Sequence, residues 1–199
     1  MRLTTVFLDR DGVLNRPAPE GDYIKSPDEL EMLDGAVEAV RLLNEQGLLV
    51  LVVTNQRGIA LGRMRPTDLE RVHAALRSRL AAGGARLDGI YHCPHEKDSC
   101  ECRKPLTGLF ARAQRDHPEI AFARSAVIGD SATDMQAAER IGARSILISS
   151  EVLEGVENAA SLLDAANLVV GGQGPPTARA RASARSSGVP TSITGSGSR

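Results

Sequence analysis

The 199-residue chain contains no tryptophan, only three phenylalanines and only two tyrosines. With so few rings there is little from which to build a stacking platform for single-stranded bases. Excess charge is missing as well: 24 Lys and Arg stand against 25 Asp and Glu, a net charge of −1. No sequence-wide field would draw the chain to nucleic acid or to anionic lipid, so neither is an expected partner. No apolar run approaches the length of a membrane span. Two aspartates fall within the first eleven residues, which leaves no room for the apolar core of a secretory leader. The expected location is the reducing cytoplasm, where disulfides are rare. At 42% hydrophobic residues, one substantial core and a monomer are expected rather than two full domains.

Cysteine is scarce too, and its placement is uneven. All three cysteines lie in "CPHEKDSCECRKP", Cys93 to Pro105, around one histidine. Cys93, His95, Cys100 and Cys102 read as C-x-H-x4-C-x-C. A catalytic metal, a structural metal and a redox switch compete as explanations. The stretch has no C-x-x-C pair, which argues against the redox switch. Three thiolates and an imidazole suit tetrahedral Zn²⁺, and four protein ligands leave no position open for water. The pattern therefore predicts a structural zinc-binding loop. Neighbouring His92, at a strand end, reads as a packed or solvated histidine.

What the chain does have is a series of apolar runs of strand length, "TTVFLD", "LLVLVVTN", "GIYHC", "SAVIGD" and "RSILIS". They are rich in Val, Ile and Leu and barely alternate, as strands covered on both faces do. Helical spacing lies between them. Val37, Val40 and Leu43 precede Gly47, a C-cap candidate. Leu69, Val72, Leu76 and Leu80 follow Thr67, an N-cap candidate, and "TDMQAAERIG" ends at Gly142. The alternation predicts an α/β fold with a parallel sheet over residues 1–170. From 171 to 199, Gly, Ser, Pro, Ala and Arg dominate, and a disordered tail is expected.

Polar residues collect where the strands run out. Asp9 and Asp11 follow the first strand, and Thr54, Asn55 and Gln56 the second. Lys104 ends the cysteine loop; Asp130 and Asp134 follow "SAVIG". Ligands of open α/β sheets bind at the carboxyl ends of the strands. Each residue alone is open to a plainer reading as a turn residue, a cap or a solvated charge. Their joint order is harder to obtain by chance.

In "DRDG" at 9–12, "VVTN" at 52–55, "RKP" at 103–105 and "GDSATD" at 129–134, the chain resembles the haloacid dehalogenase superfamily of phosphatases. The resemblance implies a Rossmann-like three-layer sandwich and an aspartyl-phosphate mechanism that depends on Mg²⁺. It assigns Asp9 as nucleophile and Asp11 as general acid/base, with Thr54 and Lys104 stabilising the phosphoryl oxygens. Mg²⁺ would be held by Asp9, the Asp11 carbonyl and Asp130, and Asp134 would orient Lys104 or a metal-bound water. The stretches between motifs are too short for a separate cap domain, so the zinc loop would form one wall of an open site.

Within the superfamily, the cysteine loop narrows the resemblance to heptose bisphosphate phosphatases and histidinol-phosphate phosphatases. "TNQRGIALG" and "GDYIKSPDELEMLDG" look more like the former. A small phosphorylated sugar is thus the expected substrate, losing its 7-phosphate, with contacts from Asn55, Gln56, Arg57 and Arg103. Leu61 and Ser131 depart from the heptose pattern, where Arg and Lys often stand near the distal phosphate. Arg57, Arg63 and Arg65 are candidates to compensate. A zinc-bearing binding or regulatory protein on the same fold is the non-enzymatic alternative.

Overall fold

The computed structural model describes residues 2–151 and 156–172. Six strands form one parallel sheet in the order β3-β2-β1-β4-β5-β6. They are β1 (Thr5–Leu8), β2 (Leu49–Asn55), β3 (Gly89–Cys93), β4 (Ser125–Gly129), β5 (Arg144–Ile148) and β6 (Asn158–Ala159). Helices α1 (Ala36–Glu45), α2 (Pro66–Ala82), α3 (Gly108–Asp116), α4 (Ala132–Ile141) and α5 (Leu162–Gly171) cover both faces. The five strand-like runs of the sequence are β1 to β5. Every residue of β1 and β4 is buried, whereas edge strand β3 alternates between buried and half-buried positions. Alternate residues of the central strands feed two separate cores. Val6, Leu8, Val50 and Val52 meet α1, α2 and α5, while Phe7, Leu51 and Val53 meet Phe110 of α3 and Ala137 of α4. The outcome is the expected α/β three-layer sandwich, Rossmann-like in strand order.

Several local features differ from the sequence expectation. The N-cap of α2 is Arg65, not Thr67: Pro66 occupies the first turn, and the Asp68 side chain accepts the Arg65 N–H at 3.0 Å. Proline presets the helical φ one residue before the hydroxyl could act. At the end of α1, Gln46 is the cap and Gly47 follows it with φ 74°. Helix α5 runs to Gly171, one residue past the expected boundary, and the expected tail from 173 onward lies outside the described residues. Helix α3, with three buried residues, helix α5 and the two-residue β6 have no counterpart in the sequence reading.

Among the described residues no insertion between strands builds a further domain, and no helix is long and apolar enough to cross a membrane. The strand order reverses between β1 and β4, which pair directly, from Thr5 opposite Ser125 to Leu8 opposite Ile128. Asp9 and Asp130 leave the sheet at this switch point, where a crevice is to be expected.

Phe7 anchors the second core, edge-on to Phe110 at 5.0 Å and fully buried. Phe7→Ala should cost about 3–5 kcal/mol, read as a lower urea midpoint at unchanged m-value. A loss under about 1 kcal/mol would show that the layer closes over the gap.

Candidate active site and metal centres

The Lys104 ammonium is the charge around which the strand-end residues gather. Only 2% exposed, it lies 3.0 Å from Asp9 Oδ1 and 2.6 Å from Asp134 Oδ1. Its main chain is fixed from β2: Asn55 Nδ2 donates to the Lys104 carbonyl at 3.1 Å, and the Lys104 N–H donates to Asn55 Oδ1 at 3.0 Å. The Asn55 amide, expected to touch substrate, therefore engages the lysine backbone.

Asp9 Oδ1 also accepts the Arg10 N–H at 2.7 Å. Among the described residues no hydrogen bond reaches its Oδ2, which leaves one oxygen available for chemistry. Gln56, 1% exposed, donates from Nε2 to Asp11 Oδ2 and to Thr54 Oγ, each at 2.9 Å. Because Thr54 accepts there, its own hydroxyl proton can point elsewhere. Asp11 is held as an anion by Arg10, by Asn15 Nδ2 at 2.9 Å and by Gln56. Burial works against ionisation, but the Arg10 charge and these hydrogen bonds hold the Asp11 carboxyl below the usual range.

Oxygens of Asp9, Asp130 and Asp134 lie within 4.8 Å of one another, a group able to hold a hard cation. Gly12 makes room for it: its φ is 78°, and a Cβ there would sit 1.8 Å from Asp130 Oδ2. One ammonium faces three carboxylates. Burial, then Asp9 and Asp134, push the Asp130 carboxyl up to about 6, and burial raises Asp9 despite Lys104. Oxygen ligands with unbalanced negative charge suit Mg²⁺. Ser131 donates to Asp134 Oδ2 at 2.5 Å, so it supports a member of this group.

The cysteine loop gathers its four side chains as well. Cys93 Sγ is 3.5 Å from Cys100 Sγ and 3.7 Å from His95 Nδ1; Cys102 Sγ is 3.4 Å from Cys100 Sγ and 3.2 Å from His95 Nδ1. Zinc bond lengths of about 2.0–2.3 Å give tetrahedral edges of roughly 3.5–3.8 Å, close to this spacing. All three thiols are free. Burial opposes it, but hydrogen bonds from Cys102 and the backbone bring Cys100 down to about 7. Burial and the neighbouring sulfurs push Cys102 up to about 12, so the cluster tends to share protons that a metal would displace. The loop packs hard against α3: a Cβ on Gly108 would lie 2.7 Å from the Glu101 carbonyl.

A cavity of about 500 Å³ lies between this loop and α4, lined by Asn55, Lys97, Arg103, Lys104, Thr133 and Arg140. Arg103 thus joins the site, with Nη1 buried and unpartnered among the described residues. The other arginines are engaged: Arg57 pairs with Glu96, Arg63 bonds the Gly21 carbonyl, and Arg65 caps α2 through Asp68. Leu61 is exposed. His92 is half-buried, its ring 5.7 Å from that of His73. Arg10, Asn15 and His73 were not singled out by sequence, because arginine and histidine within a helix or turn ordinarily read as surface.

Residues 101–172 match the HAD-hydrolase-like family. A D-glycero-alpha-D-manno-heptose-1,7-bisphosphate 7-phosphatase of Mycobacterium bovis is 37% identical over 77% of this chain and 80% of its own. A D-glycero-beta-D-manno-heptose-1,7-bisphosphate 7-phosphatase of Vibrio cholerae is 38% identical over 71% of this chain and 78% of its own. In structure, the chain resembles a D,D-heptose 1,7-bisphosphate phosphatase from B. bronchiseptica complexed with magnesium and phosphate. The TM-score is 0.78 at 31% identity, covering 86% of this chain and 100% of that one.

A carboxyl raised in the fold keeps its proton longer than in the unfolded chain, so Asp130 opposes stability increasingly as pH rises from about 4 through about 6. A divalent cation competes with that proton. The thermal midpoint gained on adding Mg²⁺ should therefore be larger at pH 7.5 than at pH 5, and Asp130→Asn should flatten the difference. Equal gains at both pH values in the parent protein would refute this account of the cluster.

Proposed function

Because the chain belongs to the haloacid dehalogenase-like hydrolases, we propose that it is a cytoplasmic phosphatase removing the 7-phosphate of D-glycero-D-manno-heptose 1,7-bisphosphate. One observation carries the reading: Lys104, buried between Asp9 and Asp134, borders a cavity lined by three further cations, Lys97, Arg103 and Arg140, against one carboxylate, Asp98. Such a wall complements a substrate with a second anionic group beyond the reacting phosphate. The relatives named above are heptose bisphosphate phosphatases.

Asp9 acts as nucleophile through the oxygen that Lys104 and the Arg10 N–H leave free. Forming an aspartyl-phosphate divides the hydrolysis into two easier steps. Thr54 and Lys104 donate to the equatorial oxygens, where charge is greatest in the transition state. Asp11 protonates the departing sugar oxygen and later takes a proton from the attacking water. Its surroundings favour the anion, so it acquires the first proton as the negative phosphoryl group approaches and raises its proton affinity. Mg²⁺, held by Asp9, Asp130 and the Asp11 carbonyl with Asp134 beside them, supplies charge neutralisation and orientation when bound. Zn²⁺ in Cys93, His95, Cys100 and Cys102 stiffens the loop that ends at Arg103 and Lys104.

The test is phosphate release from the alpha and beta anomers of heptose 1,7-bisphosphate, with histidinol phosphate alongside, in Mg²⁺ or EDTA. Heptose turnover that stops in EDTA and returns with Mg²⁺ is expected. Preference for histidinol phosphate would overturn the substrate. Asp9→Asn should abolish turnover, since an amide cannot form the intermediate; retained activity in the purified variant would sink the nucleophile assignment.

The two metals should separate. Brief EDTA treatment should leave about one zinc per chain while removing Mg²⁺. Cys100→Ala should lower zinc content, raise KM and lower kcat, because Arg103 and Lys104 lose their fixed position. If zinc-free protein loses all chemistry while binding substrate normally, the zinc is catalytic instead.

A further inference from the structure

Arg10, between the two aspartates of the first motif, is fully buried, which is rare for arginine. Each of its side-chain nitrogens has a partner. Nε donates to Asp11 Oδ1 at 3.2 Å and Nη2 to both Asp11 oxygens at 2.9 Å. Nη1 lies 3.4 Å from His73 Nε2, on the buried side of α2. Burial, reinforced by the Arg10 charge, holds the His73 ring's pKa down to about 3. The ring is therefore neutral and can offer a lone pair to Nη1. A planar fork that meets both oxygens of one carboxylate fixes its rotation as well as its position. Asn15 and Gln56 complete the set of donors around Asp11.

We propose that Arg10 is a positioning residue for Asp11, oriented in turn by His73, so that α2 braces the proton-transferring group through two side chains. A purely structural ion pair is the competing account. Against it, buried pairs are costly to desolvate, and an apolar side chain would fill the same space at least as stably. Moreover, among the described residues the only charged partner of Arg10 is the carboxylate placed between β1 and the site.

The proposal rests on Asp11 as the acid of the reaction, and the test separates the two. Heptose 1,7-bisphosphate loses an alkoxide and needs that acid, whereas p-nitrophenyl phosphate loses a stable phenolate and needs it far less. Comparing kcat/KM isolates phosphoryl transfer to Asp9. Arg10→Lys should lower kcat/KM about 10- to 100-fold on the heptose and under about threefold on the nitrophenyl ester. Asp11→Asn should show the same selectivity at about 10²- to 10⁴-fold. The double variant should fall no further than Asp11→Asn, within about twofold. Equal losses of Arg10→Lys on both substrates, or an additive double variant, would overturn the positioning role. Equal losses in Asp11→Asn would overturn the acid role and the proposal together. Should Arg10→Lys not fold, His73→Leu leaves the arginine in place but removes its acceptor. It should lower heptose turnover about three- to tenfold and spare the nitrophenyl ester, and His73→Gln should recover part of the loss. Unchanged heptose turnover in His73→Leu would overturn the bracing.

Discussion

An ammonium that is 2% exposed, set 3.0 Å from one aspartate and 2.6 Å from another, imposes conditions on every element near it. Taking such charges out of water costs several kcal/mol each, and only close geometry offsets it. Removing one partner of a buried pair typically costs about 3–5 kcal/mol. Lys104 therefore ties together β1 through Asp9, α4 through Asp134 and the cysteine loop to which it belongs. The site thus connects three separate elements through one side chain.

That dependence gives the cysteine loop its purpose. The stretch from Pro94 to Thr107 has no regular structure of its own, yet it must deliver one side chain with little tolerance. Four side chains, Cys93, His95, Cys100 and Cys102, converge on its middle. At its ends, Asn55 grips the Lys104 backbone, the Gln56 N–H donates to the Cys93 carbonyl at 2.7 Å, and the Ala60 N–H to Pro94 at 3.1 Å. The close approach of Gly108 to Glu101 fastens the exit to α3. With the proposed zinc, soft ligands would serve position, while the hard carboxylates beside them are left for charge.

Most of the architecture was legible because buried parallel strands are apolar without alternation, and β1 to β5 have that signature. Helix α5 lacks a contrasting polar face in "LLDAANLVVG", and α3 buries only Leu109, Phe110 and Ala113, so neither presents a long periodic stripe. The residues that carry charge were legible by their strand-end positions. Their supports were not. Asn55 and Lys104 are 49 residues apart, and nothing local shows that an amide will grip a distant backbone. Gln56 reads as a substrate contact but lies buried between Asp11 and Thr54. Arg10 is not singled out within "DRDG", because arginine is ordinarily a surface charge; only the fold shows that its place in the motif turns it inward.

The two aspartates of "DRDG" end up with opposite electrostatics, and the difference has a physical source. Each has its own buried cation, Lys104 for Asp9 and Arg10 for Asp11. Lys104, however, is shared with Asp134, and Asp130 adds another negative charge nearby, so burial leaves the Asp9 carboxyl raised. Arg10 serves Asp11 alone, and there the anion prevails over burial. Environments that push paired carboxyls apart are how one site runs two kinds of chemistry. The chain itself secures the ionisation of Asp11. For Asp9 burial outweighs the positive charge the chain supplies, so a bound cation would favour the anion there. As the proposed nucleophile, Asp9 would be coupled through such a cation to the charge neutralisation that attack on a phosphate requires.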